Sequence, residues 1–352
     1  LTVQDQLAER LANALAVNLT GEEKRGLAKQ YTDDTEAYQL YLKGRYFWNK
    51  RTAGDLEKSI VYFKEAVDKD PLFALAYAGL ADSYSLLSDY EALPAEETYP
   101  QAKMAAAKAL QIDGELAEAR TSLAYIKAFY EWDWAGAEME FRRAIELNPN
   151  YATAHQWYAE YLSAMGRTEE ALAEVKKAEE LDPVSLIIGA VEAWILYFAH
   201  DYDRAIAKCL NVIEMDPNFA EAYEYLKRSY DQKGMYRQAI AARQTRRRIL
   251  GRDARDTAAL RAAASATSSK VYWEKRLEQE IAESKQERLS PFDMAEILAQ
   301  LGEKDRAFKW LKKAHAEHNL MITYVKVAPN LDPLRSDPRF ADLLRRVGLP
   351  QN

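Results

Sequence analysis

His315 and His318, three positions apart with Glu317 between them, could set two imidazoles on one helix face and chelate a metal ion. Their setting, "HAEHN", reads instead as a solvated last turn where imidazoles meet the negative helix end. No metal is expected there, and His155 and His200 read as isolated packing or turn residues. Arg243, Arg246, Arg247, Arg248, Arg252 and Arg255 fall within thirteen residues and could neutralise phosphates or an acidic partner. Asp253 and Asp256 partly offset them, and no aromatics for base stacking are interleaved, so they read as the solvent-facing side of a helix. Trp132 and Trp134 in "EWDWAGAE" could wall a ligand, although an aromatic pair at a turn more often seals a corner between helices. A hydrolase or transferase needs a nucleophile, a base and an electrostatic stabiliser held together. The chain contains no Gly-x-x-x-x-Gly-Lys loop, no Gly-x-Gly-x-x-Gly turn after a strand and no Gly-x-Ser-x-Gly elbow. The expectation is a non-enzymatic chain with no cofactor.

The elements that must carry these residues are helical. With 13 Gly and 11 Pro in 352 residues, and Ala, Leu, Glu, Lys and Arg prominent, composition favours helix over sheet. A net charge of −7 opposes whole-molecule attraction to nucleic acid or anionic lipid, so neither partner is expected for this region. The single cysteine, Cys209, excludes an intrachain disulfide framework and a thiolate cage. Compartment stays open: cytoplasmic, or extracytoplasmic if the parent protein is membrane-anchored. No run reaches the roughly 18 consecutive apolar residues of a membrane span, and no membrane insertion is expected. The chain opens at Leu1, without Met, in an amphipathic stretch, and is expected to be a piece of a longer protein.

Pro149, Pro183 and Pro217 stand 34 residues apart. Aligned on them, Tyr158-Ala159, Leu162, Ala171, Val175 and Ala178 recur as Glu192-Ala193, Leu196, Ala205, Cys209 and Val212, then as Leu226-Lys227, Tyr230, Ala239 and Arg243. Working outwards, the unit ending at Pro149 is one residue longer and the one ending at Gly114 nine longer, the excess falling in "SLLSDYEALPAEETYP", and Pro71 closes the first, with Gly44, Phe47, Ser59, Phe63 and Ala66. Weaker units around Leu260, Trp273 and Leu277 and around Met294, Leu298, Ala307, Leu311 and Ala314 bring the number to eight. Each reads as two amphipathic helices joined by a short polar turn, with Thr168 or Asp203 capping the second helix. An alanine near the start of that helix and another seven residues on leave a face free of bulk, so the paired helices can approach closely.

This pattern resembles the tetratricopeptide repeat over roughly residues 38 to 317. The resemblance implies an all-α fold, a right-handed α-α superhelix with a concave inner face. Residues 1–34 are read as linker helices, 35–321 as the array of about eight helix pairs, and 322–352 as a capping segment. In that last segment Pro338 to Val347 forms a short amphipathic helix, with Phe340, Leu343, Leu344 and Val347 covering the last apolar face. "AYQLYLKGRYFWNKRT", "DPLFALAYAGLADSYSLL" and "LDPLRSDPRFADLLRRVGLP" further resemble carboxy-terminal repeat regions of bacterial multidomain signalling proteins. In those proteins the array follows a winged-helix DNA-binding domain, a serine/threonine kinase or a nucleotide cyclase, often with a TolB-like segment between.

In that geometry the first helix of each pair lines the concave side. The offsets then put Tyr125 and Phe129, Gln156 and Glu160, Trp194 and Tyr197, and Glu224, Arg228 and Asp231 into the groove as a stripe of aromatic and acidic groups. Rigid aromatics anchor an extended peptide or a helix, and the acids favour a basic partner. A chaperone-binding subgroup clamps a terminal carboxylate with Lys and Asn; the matching positions here carry Gln156 and Glu160, or Ala190 and Trp194, so that role is not implied. The expected function is a non-catalytic interaction and sensing module that binds a protein or peptide segment. The alternatives are a metabolite sensor, with Tyr90 or Tyr99 in an enclosed apolar pocket, and a scaffold that self-associates into a homo-oligomer.

Overall fold

The structure, a computed structural model, describes residues 31–90, 93–252, 262, 269–283 and 289–350. Most of the linker segment expected over 1–34, and Leu260 and Arg255, lie outside the described residues. The chain forms helices α1 (Thr35–Trp48), α2 (Ala53–Lys69), α3 (Ala74–Asp89), α4 (Ala95–Ile112), α5 (Ala117–Ile126), α6 (Trp134–Leu147), α7 (Ala152–Ala164) and α8 (Thr168–Leu181). There follow α9 (Leu186–Phe198), α10 (Tyr202–Met215), α11 (Ala220–Gln232), α12 (Tyr236–Ile249), α13 (Ser269–Glu283), α14 (Pro291–Gln300), α15 (Lys304–Ala316) and α16 (Pro338–Val347). Two 3₁₀ turns, Leu320–Tyr324 and Pro329–Leu334, lie between α15 and α16. Successive helices pair as antiparallel hairpins, α1 with α2 through α11 with α12, and again α14 with α15.

The repeated punctuation has a local cause. At the end of the second helices, Asp70, Asp113, Asn148 and Asp216 each turn their side chain back to accept the N–H two residues on, at 2.9, 3.1, 3.2 and 2.8 Å. This Asx turn, with proline next in several units, stops one helix and aims the chain into the following pair. The start signals differ from the sequence expectation. Asp201, not Asp203, caps α10, and Arg167 precedes α8 without a side-chain cap, so Thr168 and Asp203 are first-turn residues. The capping side chain must stand before the first helical residue to reach the free N–H groups, which puts the cap at Asp201 rather than two positions later.

Packing follows the small-residue spacing. Ala102 and Ala109, Ala137 and Ala144, Ala171 and Ala178, and Ala307 and Ala314 are all fully buried, so each second helix turns its bulk-free face inwards. Gly44 and Gly79 take the same role on two first helices: both press on the ring of Phe63, where an added Cβ would lie 2.5 and 2.6 Å from ring carbons.

The turn inside each pair demands one left-handed residue. Gly166, Gly234 and Gly302 supply it without steric cost, while Arg51, Trp132 and His200 adopt φ of 53°, 55° and 62° at the corresponding place. The extra residue of the third unit is absorbed as a π turn over Lys127–Glu131 that extends α5 and ends at Trp132.

The array curls back on itself. Trp48 of α1 meets Trp157 of α7 edge-on at 6.2 Å. After α15 the chain crosses the inner faces of earlier pairs: Tyr324 stacks on Phe198 at 4.8 Å and approaches Trp194 at 5.8 Å and Phe129 at 6.1 Å. The Lys326 ammonium donates to the Met165 carbonyl at 3.2 Å. Phe340, Leu343, Leu344 and Val347 of α16 are buried, and the Trp134 indole N–H donates to the Val347 carbonyl at 2.7 Å, tying α16 to α6.

Candidate functional site

Because the first helix of each hairpin faces the axis, α3, α5, α7, α9 and α11 converge on one cavity of about 650 Å³, closed on one side by residues 317–321 and Tyr324. At one end Arg51 lies over the Trp48 ring, 3.6 Å from its centroid, with the Arg45 guanidinium also over that ring at 4.0 Å. Arg45 is matched by Asp82 at 3.3 Å, and Asp82 in turn accepts from the Ser122 hydroxyl at 2.5 Å.

Acidic groups come next along the wall. Asp89 accepts from the Tyr125 and Tyr99 hydroxyls at 2.6 and 3.0 Å. Burial pushes its carboxyl up to about 7, against the stabilising phenols. Glu160 accepts from the Gln156 amide at 3.0 Å, and burial likewise raises it to about 7. Both sites therefore hold protonatable acids near neutral pH, in an interior where ionisation is costly.

The far end is aromatic and ionic. Trp194 stacks between Tyr197 at 5.2 Å and Tyr225 at 4.6 Å. Beside it Arg228 of α11 donates to Glu224 at 2.8 Å and to Asp293 and Glu296 at 2.6 Å each, joining α11 to α14. Burial would raise Glu224, but Lys227, Arg246 and Arg228 hold it well below the ordinary carboxylate range. Glu221, with Arg246 at 3.7 Å, remains raised by burial.

Of the residues read from the sequence as a groove stripe, Tyr125, Gln156, Glu160, Trp194, Glu224 and Arg228 line this cavity. Phe129, Tyr197 and Asp231 sit one layer behind it. Phe129 lies 4.5 Å from Tyr125 and is covered by Tyr324. Tyr197 is fully buried, and Asp231 accepts from the Tyr272 hydroxyl of α13 at 2.7 Å. A helical offset places side chains on one face, but part of that face is covered from elsewhere in the chain, Phe129 by Tyr324 and Asp231 by Tyr272 of α13.

Sequence reading missed Arg51, Asp89, Glu221, Tyr225 and Tyr324, and placed Arg246 on the solvent side. Arg51 carried a signal, since it replaces glycine at the left-handed turn. Of the two insertion tyrosines, Tyr90 lines the cavity, whereas Tyr99 supports Asp89 from behind. The arginine run is corrected as well: Arg243 bonds Glu280 at 2.7 Å, Arg246 approaches Glu224 at 3.5 Å, and Arg247 is buried, while Arg248 and Arg252 are exposed. Acids on the inner faces of α11 and α13 draw these cations inwards. Trp132 stacks on His318 at 4.6 Å and meets the tilted ring of His315 at 4.8 Å, sealing a corner between units far apart in sequence. His155 is buried between Glu174 and the Pro149 carbonyl, and His200 lies beside Tyr202. Among the described residues no helix is long and apolar enough to cross a membrane.

Stacked two-helix units with inner faces converging on one axis define a helical-repeat solenoid. The chain is a tetratricopeptide-repeat protein: residues 140–173 match the family described as Tetratricopeptide repeat. It is 25% identical over 202 residues to the transcriptional regulator HilA of Salmonella typhimurium, covering 57% of this chain and 36% of HilA. It is also 25% identical over 269 residues to the TPR repeat-containing protein YpiA of Bacillus subtilis, covering 65% of this chain and 60% of YpiA. The chain thus spans little more than a third of the first relative's length. A solved structure of a monomeric IFIT1 mutant with m7Gppp-AAAA superposes over 98% of this chain and 76% of that one at a TM-score of 0.50 and 14% identity, a likeness of fold alone.

Proposed function

We propose that this array is the recognition module of a bacterial signalling or transcription-regulatory protein, taking a short protein or peptide segment into the axial cavity. The observation that carries the reading is the convergence of five first helices on one cavity with both aromatic and ionic walls. Trp194, Tyr225 and Tyr125 offer flat apolar surface at low conformational cost, and Asp89, Glu160 and Glu221 favour a segment that brings hydrogen-bond donors or positive charge. The likeness to a transcriptional regulator, confined to part of that protein, supports an effector carried elsewhere in the parent chain. Occupation of the cavity would bias that effector by favouring one curvature of the array.

A second reading has its own support. Closure by residues 317–324 leaves a cavity of about 650 Å³, within the range of small-molecule sites, roughly 300–1,000 Å³. The two separate in one experiment. A random short-peptide library is panned against the chain, and a metabolite library is screened by thermal shift, with Tyr225→Ala and Glu160→Gln variants in parallel. Selected peptides that lose about tenfold or more of their affinity on Tyr225→Ala support the peptide reading. Peptides that bind parent and variants equally refute it, and metabolites alone shifting the parent favour the second.

A further inference from the structure

A stacked array leaves apolar surface in water at each end unless something polar closes it. At the carboxy-terminal end α16 does so, burying Phe340, Leu343, Leu344 and Val347. The opposite end differs. On α1, Leu42 and Tyr46 stand four residues apart on one helix face and are 44% and 60% exposed. Tyr46 meets Phe47 edge-on at 5.3 Å, and Phe47 stacks on Tyr62 of α2 at 5.4 Å, so three rings run in one row across the first hairpin. The Lys50 ammonium lies 4.7 Å from the Tyr46 ring centre and 5.4 Å from that of Phe47. Among the described residues no helix covers Leu42 and Tyr46, and neither lines the axial cavity. An end of this kind is an unfinished stacking surface rather than a solvated one.

The chain itself supplies an occupant. Residues 1–30 lie outside the described residues and lead directly into α1. Val3, Leu7, Leu11, Leu15 and Leu19 recur there every four positions, an apolar stripe at helical spacing, while Asp5 and Glu9 fall on the opposite side of such a helix. The stripe also carries the signature of the first helices. Leu7-Ala8 with Leu11, and Leu11-Ala12 with Leu15, repeat the pattern of Leu80-Ala81 with Tyr84 and of Met294-Ala295 with Leu298. Ala8 and Ala12 stand 36 and 32 residues before Gly44, the matching small residue of α1, on either side of the 34-residue period. Within the array each first helix packs against the next, α1 on α3 and α3 on α5, so a first helix preceding α1 falls on the side that α1 leaves open. The lengths agree: residues 3–19 as a helix span about 25 Å, against about 21 Å for α1.

We propose that residues 3–19 are the first helix of a further repeat unit and lie along α1, with Leu7, Leu11 and Leu15 covering Leu42 and Tyr46. Tethered through residues 20–34, the segment meets this face at an effective concentration on the order of millimolar, which a second copy of the chain does not match at ordinary concentrations. The contact is independent of what the axial cavity binds. It makes the segment part of the stack and fixes the direction in which it leaves the array.

The test uses the whole chain, followed by hydrogen exchange of peptides covering residues 3–19 and by sedimentation. Leu42→Ser with Tyr46→Ser alters the face, Leu7→Ser with Leu11→Ser alters the segment, and Met139→Ser, at a similarly exposed position of α6, is the control. Exchange in α5 to α12 reads whether each variant keeps its fold. The expected result is a monomer whose amides in residues 3–19 exchange about tenfold or more slowly than the unstructured rate, with that protection lost in both double variants and kept in the control. Amides of α1 should lose protection in the segment variant as well, because the cover is mutual. Residues 3–19 exchanging at the unstructured rate in the parent would overturn the proposal. So would protection that survives the loss of Leu42 and Tyr46, since the segment would then be held elsewhere. A parent dimer that the face variant splits would assign the face to a second copy and overturn it too. None of these results bears on the cavity, which the peptide and metabolite screens test separately.

Discussion

Replacing Tyr324 with alanine probes the closure of the superhelix directly. Tyr324 is 2% exposed and touches Phe198, Trp194 and Phe129, which belong to α9 and the π extension of α5. Truncating an aromatic ring in such a setting costs about 3–5 kcal/mol, the transfer term plus the cavity left behind. The cost should fall locally, because a repeat array opens in parts and each unit is held mainly by its neighbours. Hydrogen exchange of the backbone amides in residues 320–334 and in α9 therefore reads it better than a single melting curve. At about 1.4 kcal/mol per tenfold, the expected loss of protection in the 3₁₀ turns is about a hundred- to several thousandfold. Tyr324→Phe, which keeps the ring, should lose little. If Tyr324→Ala changes exchange in residues 320–334 by less than about threefold, the C-terminal crossing is not held by this aromatic contact and the closed cavity loses its basis.

Three further outcomes follow from named contacts. Gly79→Ala drives a methyl into the Phe63 ring and should destabilise urea unfolding by about 1–3 kcal/mol, with Phe63→Leu in the same chain restoring part of the loss. Arg228→Met strands Glu296, itself 4% exposed, and should cost about 3–5 kcal/mol, much of it recovered when Glu296→Met is added. Asp89 has a folded-state pKa of about 7 against an ordinary value of 3.8, so the folded chain holds a proton that the unfolded chain releases between those values. Its contribution is therefore greatest below pH 4 and is lost as pH rises towards 7, so the melting temperature of the parent should fall more between pH 5 and 8 than that of Asp89→Asn. A parallel pH profile for the two proteins would show that Asp89 titrates normally.

Much of the fold was legible because its signals are local. The 34-residue spacing of prolines and the alanines seven apart lie within one unit or between adjacent ones, and each is satisfied by a neighbour close in sequence. The candidate site was legible only in part. Tyr125, Gln156, Glu160, Trp194, Glu224 and Arg228 could be placed by helical offset alone, since that offset needs no knowledge of the rest of the chain. Phe129 and Asp231 share the offset, yet they are covered by Tyr324 and Tyr272, whose approach no periodicity encodes. The arginine run was misread for the same reason: Glu221 and Glu280, which face Arg246 and Arg243, come from other helices.

By itself, the sequence determined that the chain is a stack of helical hairpins punctuated every 34 residues or so, and it indicated part of the first-helix face that turns towards the axis. Tertiary structure alone decided that the stack closes on itself: that Trp48 reaches Trp157, that Trp134 meets Val347 across 213 residues, and that Arg51, Asp89 and Arg246 share one cavity. The physical reason is accumulation. Each hairpin adds a small rotation set by side-chain packing, and only the sum of many such rotations settles which distant surfaces meet.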